Sequence, residues 1–453
     1  MPKNMLNRRD FLRNTGLGLA GLGLSSSGLF ERRANAASLT GKRMIFIFQE
    51  GGNDGINTLI PRGDSDYNTR NRPTLFIPED EALDTGNGFA QLHPALEPMM
   101  EIYNSRSLNG VSGPGNLAVL HRIGYDGQSR SHFDSQHFWQ NGMPGDAETE
   151  EGFIYRRLNA IQNLNSGENG LVAAGLSSNQ MLALKGEKLI PNFNSARDFT
   201  FPAGDKFLGL PAQRSDYSDA RGISGLFSLP PRTQNGPYNN LVYAAGQSLA
   251  GTMEQVQEAI GTGNYNPANG AVYPNNGFGR KLQDAAILMK RTDIQVLGLQ
   301  IGGWDTHKGQ GTTSGGHPRL LGELAQGFQA LSRDLEDQWE DTIIVTMTEF
   351  GRTSKENGSR GTDHAESSVM FVAGGGVKGG VYNCDPDTWE RRAMFSARDR
   401  YLASRTDFRA VFSEIFQEHF GDDSRIMNDI MPGYDIAKLD RPQAFRQLGF
   451  IRG

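Results

Sequence analysis

Five of the eight histidines in this 453-residue chain, His121, His132, His137, His307 and His364, stand in short polar segments that also carry acids. The segments are Gly51-Gly52-Asn53-Asp54-Gly55, the stretch after the run 117–120 that holds His121 and then Ser129, Arg130, Ser131 and His132 to His137, Asp305-Thr306-His307, Glu349-Phe350-Gly351-Arg352, and Gly361-Thr362-Asp363-His364. Imidazole and carboxylate together suit Zn, Mn or Fe, whereas carboxylate alone suits Mg or Ca. Asp305 and His307, one residue apart, can reach a single ion from one loop, and Asp363-His364 offers the same pair of groups. Other roles stay open for some of these residues. Asp54 sits in a sequence that also makes a turn or caps a helix. His132 is equally suited to holding a loop backbone, and His137 to an exposed helix face.

The elements between these segments read as α/β. Continuous apolar runs at 43–48, 117–120, 294–299, 342–347 and 368–372 are expected to be strands buried on both faces, and most end at one of the polar segments. Between 319 and 339, Leu320, Leu321, Leu324, Phe328, Leu331 and Leu335 recur at helical steps. Similar patterns lie at 239–260, 278–290 and 406–419, the last with Asp407 placed as an N-cap. Strand, polar loop, helix, strand predicts a mostly parallel sheet sandwiched by helices, with ligands at the edge where the strands end. The stretch 141–276, rich in Gly, Asn, Pro and Ser, reads as a loop-rich insertion or a cap over that sheet.

Residues 1–36 read as an export leader rather than part of this domain. Lys3, Arg8, Arg9 and Arg13 precede a weakly apolar run, Gly16 to Leu24, and the small-residue sequence Ala34-Asn35-Ala36 follows. The paired Arg8-Arg9 points to the twin-arginine route, with the translocase as partner during export and a periplasmic or secreted destination. The run is too short to span a bilayer, so no stable membrane insertion is expected after cleavage. The remaining domain, 37–453, is acidic: the chain carries −6, and removing the leader's six basic and two acidic side chains leaves −10. That charge argues against nucleic acid as a partner. Cys384 is the single cysteine, so no internal disulfide forms, and a buried inert thiol is expected there.

The order strand–Asp, Ser loop, Asp-x-His, strand–acid, Asp-His resembles the alkaline phosphatase/sulfatase superfamily. More closely, Arg8-Arg9-Asp10-Phe11 and the segments around Asp54, Ser131, Asp305, Glu349 and His364 resemble an exported bacterial family, the domain of unknown function 1501, from about residue 42 to 420. The superfamily resemblance implies divalent metal, one or two ions of Zn, Mn, Mg or Ca, beside a hydroxyl nucleophile. Asp54 would take the first aspartate's place and Ser131 the nucleophile's, with Ser129 second. Asp305 and His307 would serve one ion. Either Asp363-His364 or Glu349 would supply the remaining pair, with His364 as a lone histidine in the latter case. Arg130 or Arg352 would hold the substrate's oxyanion. The chain departs from the family pattern in its Asp-x-His spacing, and it lacks the early Cys-x-Pro-x-Arg of formylglycine sulfatases. The expected function is a metal-dependent hydrolase or transferase of phosphate or sulfate esters, on a small-molecule or polymer substrate. The alternatives are a non-catalytic extracytoplasmic binding or surface-assembly protein on the same fold, or metal chemistry of another kind.

Overall fold

The computed structural model describes residues 41–104, 115–162, 171–197, 199, 251–253, 255–261 and 263–452. The leader expected over 1–36 and the centre of the loop-rich stretch lie outside the described residues. Strand β1, Arg43–Glu50, shows why its sequence is apolar at every position. Successive side chains of a strand point to opposite faces. Ile45 and Ile47 enter the core on one face, and Met44, Phe46 and Phe48 enter the core on the other, all fully buried. The first core contains the helices Gly277–Arg291 and Gly316–Asp334. The second contains the helices Phe153–Gln162 and Phe408–Glu414 and the π-helical turn Ile415–His419. Asp407 caps the start of Phe408–Glu414 through the Arg409 amide, in the role its position suggested. Of the helix expected over 239–260, residues 251–253 and 255–260 are helical, and the part before 251 is outside the described residues.

The main sheet is completed by β5 (Leu117–Gly124), β6 (Ala173–Leu176), β7 (Val296–Gly302), β8 (Thr342–Thr348), β9 (Ser368–Ala373) and β10 (Gly380–Tyr382). Their order is β10-β5-β9-β8-β1-β7-β6, with the two-residue β11 (Thr406–Asp407) also paired to β5. A small antiparallel sheet, β2 (Leu59–Ile60), β4 (Gln91–Leu92) and β3 (Leu83–Asp84), stands apart. In the main sheet β1 is parallel to β7 and β8, β6 to β7, and β10 and β11 to β5. The fold is therefore α/β with a mostly parallel sheet flanked by helices.

One strand runs against the others. β9 is antiparallel to both β5 and β8. A parallel β9 would place Gly374-Gly375-Gly376 at the ligand edge; the reversal puts these glycines at the far edge, where Gly374 lies against the Thr342 carbonyl at the start of β8. A strand buried on both faces carries no mark of direction in its composition, so the reversal was not visible. It brings the approach to β9, with Asp363 and His364, to the edge where β1, β5, β7 and β8 end. Among the described residues no helix is long and apolar enough to cross a membrane. Cys384 is a buried free thiol whose pKa burial pushes well up, which keeps it unreactive.

Candidate metal centre

Four loops meet at the common edge. They follow β1, β5, β7 and β8, and the last also precedes β9. Close approach of backbones makes the meeting tight. Gly51, at φ +125°, lies against the Trp304–Asp305 backbone, and a Cβ there would stand 2.4 Å from the Asp305 amide nitrogen. No L-residue with a side chain fits both that φ and that gap.

At the centre of the meeting is one carboxylate oxygen. Asp305 Oδ1 has His307 Nε2 and His364 Nε2 each at 3.1 Å and His132 Nε2 at 3.5 Å. His132, Asp305 and His364 offer ligand atoms that all lie within 4.8 Å of one another, a spacing at which one ion could be held. Each imidazole is held from behind by an acceptor on its other nitrogen. His132 Nδ1 faces Glu349 Oε1 at 2.8 Å, His307 Nδ1 faces Asp363 Oδ1 at 3.2 Å, and His364 Nδ1 faces the Arg130 carbonyl at 2.8 Å.

Those acceptors fix the tautomers. A carbonyl or an ionised carboxylate only accepts, so each Nδ1 carries the proton and donates it. Neutral rings so placed present three bare Nε2 lone pairs toward an anionic oxygen, and His307 Nε2 faces His364 Nε2 at only 2.9 Å. Lone pair against lone pair repels; positive charge between them removes the repulsion. Imidazoles backed by carboxylate or carbonyl, with Nε2 converging beside an aspartate, are the donor set of a divalent metal site. The cluster is open on one side, His307 being 42% and Asp305 46% exposed, which leaves an entry path.

The charge states of Asp305 and His364 agree with this donor set, whereas at His132 an ion must displace a favoured proton. Burial works to raise the Asp305 carboxyl's pKa, but the hydrogen bond and positive charge of Arg352 outweigh it and hold the group at about 2. Burial foremost lowers the pKa of His364, which keeps it neutral and able to bind metal. The hydrogen bond to Glu349 foremost raises that of His132. For Asp363 burial is again opposed and outweighed, here by hydrogen bonds from Asn357 and His307, and its pKa falls.

Several residues singled out from sequence stand behind the cluster rather than in it. Glu349 is fully buried and accepts from the Gly51 amide at 2.8 Å, the Gly52 amide at 3.2 Å and Gln136 Nε2 at 3.1 Å, besides His132. It anchors both the β1 loop and one histidine. Arg352, expected to grip a substrate oxyanion, is buried with its donors spent. They go to the carbonyls of Gly51, Gly52, Trp304 and Thr362 and to Asp305 Oδ1 at 2.7 Å. It positions Asp305 and has no reach to a ligand.

Asp54 is not brought to the cluster. Its oxygens take Arg72 Nη1 at 2.6 Å, Arg72 Nη2 at 3.1 Å and Gln310 Nε2 at 2.6 Å, and one of them caps the short helix Gly55–Thr58. Ser131 caps the helix His132–Asn141, its Oγ accepting from the Asp134 amide at 3.5 Å. Ser129 Oγ lies 3.4 Å from Asp134 Oδ2 and accepts from the Ser131 amide at 3.2 Å. The hydrogen bonds of both hydroxyls stay within this loop. Arg130 rests over the Tyr401 ring, its carbon 5.0 Å from the centroid, and donates to the Tyr401 hydroxyl. His137 Nε2 is 2.8 Å from the Thr149 carbonyl and serves that loop instead. Residues not singled out from sequence complete the frame: Gln136 on Glu349, Asn357 on Asp363, and Arg400, whose Nη2 lies 3.3 Å from Asp363 Oδ2. Only the fold shows them, because amides and arginines in polar loops carry no spacing signal.

Residues 244–430 match the model of a family described as "Protein of unknown function (DUF1501)". That span holds Asp305, His307, Glu349, Arg352, Asp363 and His364, and excludes His132. No curated protein and no solved structure matches the chain.

Proposed function

We propose that this protein is an exported metal-dependent hydrolase or transferase of phosphate or sulfate esters, built on one divalent ion held by His132, Asp305 and His364 with His307 as a fourth donor. The observation that carries this reading is the convergence of three Nδ1-backed imidazoles on Asp305 Oδ1. We further propose that the whole domain, beyond the matched span, belongs to the DUF1501 family, that its fold is of the alkaline phosphatase/sulfatase kind, and that the twin-arginine leader carries it out of the cytoplasm.

A divalent ion there would polarise an ester oxygen and stabilise charge developing on the phosphoryl or sulfuryl group. The chain's own residues do the rest. Glu349, Asp363 and the Arg130 carbonyl keep the three imidazoles in their binding tautomers. Arg130 and Arg400, both riding on Tyr401, place positive charge at the rim where an anionic ester approaches. Ser131, at the start of the helix that carries His132, is the hydroxyl proposed to attack: its oxygen bonds to the phosphorus or sulfur as the bond to the ester's alcohol oxygen breaks, and its proton leaves with that alcohol.

Metal-loaded protein assayed with an aryl phosphate and an aryl sulfate tests this. Turnover is expected with at least one of them, abolished by His364→Ala and by Ser131→Ala. Turnover that survives both substitutions rules the reading out. One observation favours the non-catalytic alternative: among the described residues no base reaches the Ser131 hydroxyl, whose oxygen accepts from the Asp134 amide of its own helix. Bound metal with no ester turnover is the result that alternative predicts.

A further inference from the structure

A cleft of about 720 Å³ opens beside the metal centre, between the helices Gly277–Arg291 and Gly316–Asp334 and the end of β7. Its size is that of a ligand site rather than a packing defect. Gly302, the last residue of β7, lines it, and Asp305 follows three residues later. Three residues of chain span at most ~11 Å, so cleft and metal cluster are neighbours on the same edge.

The lining is cationic in a chain whose net charge is −6. Arg197, Arg280, Lys281 and Arg319 face it, against Asp284 and Glu323. Both acids are already engaged: Glu323 pairs with Arg319 along their helix, and Asp284 Oδ2 accepts from the Ala196 amide at 2.9 Å. Arg197, Arg280 and Lys281 have no hydrogen bond or ion pair among the described residues. Lys281 is only partly exposed, and burial lowers the pKa of its ammonium. With Arg319 and Glu323 paired, three cations face the concavity against the single Asp284 carboxylate, so the lining is net positive and attracts anions.

We propose that this cleft is an anion subsite that takes a second sulfate or phosphate group of a multiply charged ester, while the first lies at the metal centre. The inference rests on the reading of the centre as an ester site, and it deepens that reading: the substrate is a polyol or sugar bearing several oxyanions, not a simple monoester. Arg280 and Lys281 bind the distal group, and the cationic field draws the ligand to the edge.

Sucrose octasulfate, a compact polyanion of this class, is the probe, measured by calorimetry on the metal-loaded chain at low salt. Arg280→Glu/Lys281→Glu is expected to weaken binding by at least tenfold, with metal content unchanged. A control reversal on a distant surface, Lys438→Glu/Arg446→Glu, is expected to change binding less than threefold. Equal affinity in the cleft variant and the parent overturns the proposal, as does an equal loss in the control, which would mean diffuse charge attraction. Aryl ester turnover is followed in the same proteins. If the parent turns over no ester but the cleft variant alone loses the polyanion, the ester reading fails and the subsite stands. If turnover is metal-dependent but the polyanion binds all variants alike, the subsite fails and the ester reading stands.

Discussion

Replacing Glu349 by glutamine removes one acceptor oxygen from a buried group that receives four donors from outside its own strand. If the amide oxygen stays where Oε1 was, the Gly51 amide, Gln136 and His132 keep their partner, and the amide's NH2 faces the Gly52 N–H instead. One buried donor is then unsatisfied, at a cost of ~1–3 kcal/mol in stability. If the amide turns the other way, its NH2 faces His132 Nδ1–H. The histidine must then move its proton to Nε2, and it can no longer bind an ion. Loss of such a backing group weakens metal binding by about 10- to 100-fold, or ~1.4–2.7 kcal/mol. Competition with a chromophoric chelator for Zn measures the affinity, and thermal unfolding with and without metal separates it from folding. The expected result is a lower affinity together with a smaller metal-induced rise in Tm. A variant that binds Zn within twofold of the parent, while its metal-free form is destabilised, would refute the argument and leave Glu349 a purely structural anchor of the β1 loop.

Three other outcomes follow from the same geometry. Arg72→Met strands the fully buried Asp54 carboxylate, and a loss of ~3–5 kcal/mol is expected by urea denaturation; a loss under 1 kcal/mol would show that the pair is solvated. Buried histidines set the acid limit. Burial foremost lowers the pKa of His121 and His317 to about 3 and of His93 and His419 to about 4. Unfolded histidine takes its proton near ~6.5, so the unfolded chain binds protons that the folded chain refuses as the pH falls from there toward 4. Stability drops across that window by up to ~1.4 kcal/mol per pH unit for each histidine; a Tm that holds or rises from pH 7 to 5 would contradict it. Gly51→Ala forces a Cβ into the Asp305 amide at an unfavourable φ, so metal affinity is expected to fall at least tenfold, and an unchanged affinity would show that the loop yields freely.

The sheet was legible where burial writes it into composition. Met44 to Phe48 and Ile343 to Val345 are apolar at every position because both faces are covered, and that pattern has few other readings. The short β6 and β10 left no such trace, since Ala173-Ala174-Gly175-Leu176 and Gly380-Val381-Tyr382 look like many loop sequences. In the candidate site, Asp305, His307, Asp363 and His364 stood out because His and Asp adjoin in each pair. His132 was singled out too, but with a loop-backbone role left equally open, because its place is set by the helix that Ser131 caps and by Glu349, more than two hundred residues away in sequence. Asp54 misled for a related reason. A buried aspartate after a strand looks alike whether its partner is an ion or an arginine, and the partner here, Arg72, lies in a loop with no pattern of its own.

The central claim is that His132, Asp305 and His364 hold a divalent ion. Metal stoichiometry, measured by elemental mass spectrometry on protein purified without chelators and dialysed against metal-free buffer, tests it most directly. The account predicts close to one equivalent of a divalent transition metal per chain, falling to near zero in Asp305→Asn and in His364→Ala while both variants remain folded. A parent protein that retains no ion after incubation with Zn or Mn, or variants that keep the full equivalent, would contradict it.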